Sequence, residues 1–194
     1  MGDLVLLTSD AVADTADGAE VCPLGPDEEF AAAYPALFTR AMRLAYRMTQ
    51  DRATAEDVAA EALARAYSRW STVQRMDQPE AWVMRVAVNI VIDDSRKTKL
   101  LRRWMPALSA DRDTTPAFDD EVAVRNALVA ALATLPKRQR EAIALRYLAG
   151  LDEDDISRSL QISPSSVRTH VQRGLAALRE RLGPSVEGSL HATR

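Results

Sequence analysis

From Pro164 onward, Ser165, Arg168, Thr169 and Gln172 recur at i, i+3, i+4 and i+7, which places them on one side of a helix. Val167, Val171, Leu175, Leu178 and Leu182 fall on the other side, an apolar stripe suited to a small core. A helix that buries one face and offers Arg, Gln, Ser and Thr on the other carries the chemistry that reads base edges and phosphates. A second polar stripe lies farther upstream. Arg85, Asn89, Asp93 and Arg96 are spaced i, i+4, i+8 and i+11, and Lys97, Lys99, Arg102 and Arg103 extend it with no acid between Arg96 and Arg103. Its cations can neutralise phosphates and release counterions, and Asn89 can hydrogen-bond a base edge. Such a stripe alone is an ordinary solvated helix face. Two of them in one chain point to a nucleic-acid partner.

The remaining reactive residue types point nowhere else. Glu56, Asp57 and Glu61 are close on one helix, but catalytic carboxylates need a cleft or a metal, and the sequence supplies neither. A solvated face or a docking surface for a basic partner fits them better. His170 and His191 lack the company of a metal site or a catalytic dyad, and His170 belongs with the surface of the last helix. Of the tryptophans, Trp70 is assigned to a core, whereas Trp82, near a loop, is a candidate to support an unstacked base. No catalytic motif, metal site or cofactor site emerges.

The elements that position these residues are helical. Aromatics make up 5% of the 194 residues and glycine only 7 of them, which favours helix over sheet. Periodicity starts near Glu28, with Phe30, Tyr34, Leu37, Phe38, Ala41, Leu44, Ala45 and Met48 on one face. Asp51 to Thr54 reads as a turn with Thr54 as N-cap, followed by a helix to about Trp70. Ser71 to Gln78 reads as a loop, and Pro79 suits the first turn of a third helix running towards Arg103. Residues 104–119 hold two prolines and several acids without a period, and are expected to be a flexible linker. Periodicity returns at Asp120, with Val124, Leu128, Ala131 and Leu132 on one face, and breaks at Leu135-Pro136. A helix from Lys137 to Leu148 is expected to end at Gly150, a short helix capped by Asp152 holds Ile156 and Leu160, and Ile162-Ser163 turns into the last helix. Gly183-Pro184 stops it. The expected fold is all-α: an acidic tail (1–27), a helical domain (28–103), the linker, a helix-turn-helix domain (120–183) and a short tail (184–194).

Charge follows the same divisions. The net charge of -3 resolves into -8 for residues 1–29, +5 for 30–103, -3 for 104–120 and +3 for 121–194. Two basic blocks thus alternate with acidic segments, and that asymmetry outweighs the acidic total. The one cysteine, Cys22, can form no internal disulfide, and no apolar run approaches a membrane span. Leu4 to Leu7 is too short for a signal peptide, so a cytoplasmic setting is expected.

These residues resemble the extracytoplasmic-function group of sigma-70 family sigma factors, the two-domain initiation factors of bacterial RNA polymerase. The matching stretches are Ala55-Glu56-Asp57-Val58 with Glu61, Ala81-Trp82-Val83 with Arg85, and Asn89-Ile90-Val91-Ile92-Asp93 before Arg96-Lys97. In the second domain they are Leu135-Pro136 through Glu141, Leu145-Arg146-Tyr147, Gly150-Leu151, Asp155-Ile156, Val167-Arg168 and Ala177 through Leu182. The resemblance implies that Glu56, Asp57 and Glu61 dock on the clamp helices of the polymerase largest subunit. It assigns Trp82, Arg85, Asn89, Asp93, Arg96 and Lys97 to the -10 element and its melting. It assigns Ser165, Ser166, Arg168, Thr169, Gln172 and Arg173 to the -35 element. It further implies that the second domain meets the flap region of the second-largest subunit, that the linker threads the polymerase channels, and that an anti-sigma protein is a candidate regulator.

Two departures qualify the match. Ala60 stands where a Gln commonly precedes the glutamate at position 61, and Ser163 through His170 is closer to the recognition helix of LuxR-like activators. The alternative reading is therefore a helix-turn-helix activator whose first domain senses a ligand or partner. It predicts tight duplex binding without polymerase.

Overall fold

The computed structural model describes residues 25–104 and 119–183. The expected acidic tail with Cys22, most of the linker and the C-terminal tail lie outside the described residues, as do the side chains of Lys99, Arg102 and Arg103. Every regular element among the described residues is a helix: α1 (Pro26–Thr49), α2 (Arg52–Tyr67), α3 (Trp70–Val73), α4 (Pro79–Trp104), α5 (Asp119–Thr134), α6 (Lys137–Ile143), α7 (Glu153–Leu160) and α8 (Pro164–Leu182). α6 continues without a break into a π-helical segment, Ala144–Leu148.

Local chemistry sets the boundaries. Asp51, not Thr54, caps α2, because its carboxylate accepts from the Thr54 backbone N–H at 3.3 Å and from the Thr54 hydroxyl at 2.5 Å. Thr54 therefore already sits inside the helix. The expected loop after Trp70 contains the single turn of α3, whose Trp70 and Val73 are buried. Asp152 and Ser163 cap α7 and α8 by accepting from the backbone N–H groups of Asp155 and Ser166. Gly150 (φ 72°) and Gly183 (φ 85°) take the left-handed backbone that ends the segments before them.

α1, α2 and α4 pack around Leu44, Leu63, Met84 and Ile92, each 2% exposed or less. α5, α6, α7 and α8 enclose Leu132, Ile143, Leu145, Ile156 and Leu178, all fully buried. The buried residues of the two halves merge into one continuous cluster, with α4 lying against α5, α7 and the π-helical segment. Val124, expected on the buried face of α5, is 52% exposed, and the core side of that helix is carried by Leu128, Val129, Ala131 and Leu132.

α8 crosses α6 at Gly174, where a Cβ would collide with Ile143 Cδ1 and lie 3.3 Å from Gln139 Cβ. Ile143 is fully buried, so its side-chain end can yield only by repacking within the core. Gly174→Val is expected to destabilise the second half by about 1–3 kcal/mol through overpacking. Thermal unfolding checks this, and an unchanged Tm would mean the two helices do not depend on the close approach.

Candidate nucleic-acid interfaces

The first candidate surface is the outer face of α8. Ser163 fixes its start, and its hydroxyl also lies 2.9 Å from that of Ser165 and 2.8 Å from that of Ser166. Ser165, Arg168, Thr169, Gln172 and Arg173 are exposed and Ser166 is half-buried, while Val167, Leu175 and Leu178 are buried beneath them. The two-faced pattern expected from spacing is therefore present. Thr169 Oγ1 donates to the Ser165 carbonyl at 2.9 Å. A shallow depression is lined by Ser165, Ser166, Thr169 and His170. Arg168 is held from outside the helix: its Nη2 and Nε donate to the two carboxylate oxygens of Glu153, at 2.7 and 3.3 Å. The hydrogen bond from Arg168 holds the Glu153 carboxyl below its usual value; desolvation opposes it, and the charges of Arg168 and then Arg146 add to the lowering.

The second candidate surface, the polar stripe of α4, is partly covered by the second half. Arg85 Nη1 donates to the Ser159 carbonyl at 3.0 Å. Asn89 donates through Nδ2 to Glu141 Oε1 and accepts through Oδ1 from Arg140 Nη2, both at 3.2 Å. Arg96 donates to the Ala133 carbonyl and lies 3.5 Å from Asp93. Three further bonds surround these: Gln78 to Asp155 Oδ1, Arg47 to the Leu148 carbonyl, and Arg125 to the Arg47 carbonyl, each 2.7 Å. Asp93, Arg96 and Lys97 remain exposed, Arg96 despite its contact with the Ala133 carbonyl. Trp82, expected beside an unstacked base, is only 8% exposed in this arrangement and packs with the core, as does Trp70.

At the centre of this contact Arg140 and Glu141 are 5% and 2% exposed. Burial pushes the Arg140 guanidinium down from its ordinary pKa, helped by Arg96 and opposed by Asp93 and Glu141. Burial likewise lowers Arg85, with Glu141 working against it. Glu141 Oε2 makes no hydrogen bond but lies 3.7 Å from Arg138 Nη1. These two buried charges escaped the reading of the sequence, although a signal existed. Glu141, Leu145 and Leu148 are spaced i, i+4 and i+7, so the carboxylate sits on an otherwise apolar stripe.

The acidic residues of α2 form a third surface. Glu56 pairs with Arg52 at 2.8 Å and Glu61 pairs with Arg65, both along the helix, whereas Asp57 is exposed and has no partner among the described residues. The charge that α2 presents to solvent is thus partly offset by its own arginines.

Comparison with known proteins gives this arrangement a class. Residues 35–100 match the family model for sigma-70 region 2, and residues 125–178 match that for sigma-70 region 4. The chain is 34% identical over 143 residues to the ECF RNA polymerase sigma factor SigL of Mycobacterium tuberculosis, covering 71% of this chain and 79% of that protein. It is 33% identical over 153 residues to SigE of Mycolicibacterium smegmatis, covering 74% of this chain and 57% of that protein. It is 29% identical over 141 residues to the RNA polymerase sigma-E factor of Streptomyces coelicolor, covering 73% and 78%. The chain belongs to the sigma-70 family, in its extracytoplasmic-function group. It is an alternative sigma factor that directs promoter-specific transcription by RNA polymerase. The region 2 match over the first half removes the basis for a sensing domain there, and with it the LuxR-like alternative. Among the described residues no helix is long and apolar enough to cross a membrane.

Proposed function

We propose that this sigma factor reads its promoter with two helix faces that become available in different states of the chain. The outer face of α8, with Ser165, Ser166, Arg168, Thr169, Gln172 and Arg173, reads the -35 element as duplex DNA. The stripe of α4, with Arg85, Asn89, Asp93, Arg96 and Lys97, reads the -10 element and holds its melted strand. Glu56, Asp57 and Glu61 dock on basic polymerase clamp helices, and residues 104–119 pass through the polymerase channels. The protein acts in the cytoplasm by positioning polymerase and DNA, with no bond-making chemistry of its own.

One observation carries this reading. The polar groups of α4 are engaged by the second half, through Ser159, Glu141, Arg140 and Ala133, while the reading face of α8 is open to solvent. A base edge cannot share the Asn89 amide with Glu141 and Arg140, so the halves must separate before α4 meets DNA. Docking on polymerase separates them, and promoter DNA then takes the place of the internal partners.

Transcription from a promoter library by purified core polymerase, with and without the protein, tests the assignment. Transcripts that need the protein are expected to share motifs near -35 and -10. Reversing charge on α2 (Asp57→Lys with Glu61→Lys) is expected to cut transcription from every promoter alike, by about tenfold or more. Substitutions on α4 or α8 are expected instead to alter selection at one motif. A charge-reversed protein that transcribed normally would move the docking surface elsewhere.

A further inference from the structure

We infer that Glu153 is a positioning residue for promoter selectivity, and that the Arg168 it holds reads a guanine in the -35 duplex. The inference rests on the assignment of α8 to that element and adds which base it selects and by what means.

A guanidinium has two usable edges. One is the side edge, formed by Nε and one terminal nitrogen; the other is the end, formed by the two terminal nitrogens. Glu153 occupies the side edge of Arg168 with both carboxylate oxygens, at 2.7 Å to Nη2 and 3.3 Å to Nε. Nη1 and the outward N–H of Nη2 remain for a ligand, and the side chain of Arg168 is 65% exposed. An end-on guanidinium matches the O6 and N7 acceptors of guanine in the major groove. Phosphate can be met by any cation in many orientations, whereas guanine readout needs the fork held in one plane.

The two residues come from different helices, and each is fixed by its own cap. Glu153 is the first residue of α7, directly after the N-cap Asp152, and Arg168 is in the second turn of α8, after the N-cap Ser163. The helix-turn-helix therefore sets where the carboxylate stands, and the carboxylate sets where the guanidinium points. Arginine loses much rotamer freedom when it binds a base, and here that ordering precedes DNA. Glu153 also adds negative charge near the DNA face, which weakens contact with phosphates generally. Selectivity at one base pair rises while affinity for unrelated sequence falls.

The test uses holoenzyme, assembled from core polymerase and the full chain, on promoters with a randomised -35 element. Wild-type protein is expected to prefer guanine at one position, and Arg168→Ala to flatten that position by about 5- to 100-fold. Glu153→Gln keeps shape and removes the charge, and is expected to lose about 5-fold or more of the same preference while transcription from non-guanine promoters holds or rises. Glu153→Asp, with a shorter reach, is expected to fall between the two. Thermal unfolding of each variant identifies any that fail to fold, and the others then carry the comparison. Equal gains on all promoters from Glu153→Gln, with the profile unchanged, would overturn the inference and leave α8 as the -35 reader. An Arg168→Ala profile identical to wild type would overturn the inference, and only a profile also unmoved by Gln172→Ala with Arg173→Ala would overturn the assignment of α8 as well.

Discussion

Glu141→Ala is expected to open the free protein. The carboxylate is 2% exposed and stands among Arg85, Arg138, Arg140 and the Asn89 amide, so its removal leaves the half-buried Arg85 without its counter-charge and the buried Arg140 with Asp93 alone. Breaking a buried ion pair from one side costs about 3–5 kcal/mol. The chain can escape that cost, because separating the halves returns Arg85 and Arg140 to water. The substitution should therefore appear as a shift of more than about a hundredfold towards an extended form, the equivalent of some 3 kcal/mol, more than as loss of helix. Small-angle scattering or energy transfer between dyes on the two halves reads the expansion, and circular dichroism reads the helix. An unchanged radius of gyration with an unchanged Tm would show that Glu141 does not hold the halves together.

Asn89→Ala is expected to lower both compaction and activity, each through a different contact. Its amide bridges Glu141 and Arg140, so its loss leaves a buried acceptor and a buried donor unsatisfied, at about 1–3 kcal/mol. The closed form weakens. With polymerase, however, the proposed contact with the -10 element is lost as well, and open-complex formation should fall by about 5- to 100-fold. Permanganate reactivity of thymines at the melted site, measured alongside scattering of the free protein, separates the two effects. Glu141→Ala should also expand the chain, yet retain melting. Equal melting defects in both variants would mean that Asn89 acts through closure alone.

Much of this was legible from spacing. The face of α8 and its apolar back follow from one helical period, and Asp152, Ser163, Gly150 and Gly183 mark their boundaries because caps and left-handed turns depend on residue type within a few positions. The α4 stripe was legible as a stripe but not as a covered one. Its partners lie 37 to 74 residues away in the chain, and no local period encodes which carbonyl a guanidinium meets. Thr54 and Asp51 show the finer limit: both are good caps, and which one serves depended on where the preceding turn released the chain. Trp82 shows another. Its helical spacing suits a core or a surface equally, and packing between elements decided for the core.

The carbonyls that receive the arginines of the first half have something in common. Ser159 is in the last turn of α7, Ala133 is in the last turn of α5, and Leu148 closes the π-helical segment. Helix C-termini carry unpaired carbonyls and about half a negative charge from the summed peptide dipoles. Arg85, Arg96 and Arg47 therefore face three such ends, and Glu141 adds a full negative charge between them. To these arginines the second half imitates a polyanion. On the proposed assignment, promoter DNA and the chain's own helix ends are rivals for Arg85 and Arg96, and the internal rival is tethered and always at hand. On the same proposal, a short single strand added to the free protein has to displace it, whereas polymerase, by drawing the halves apart, removes it from the competition before DNA arrives.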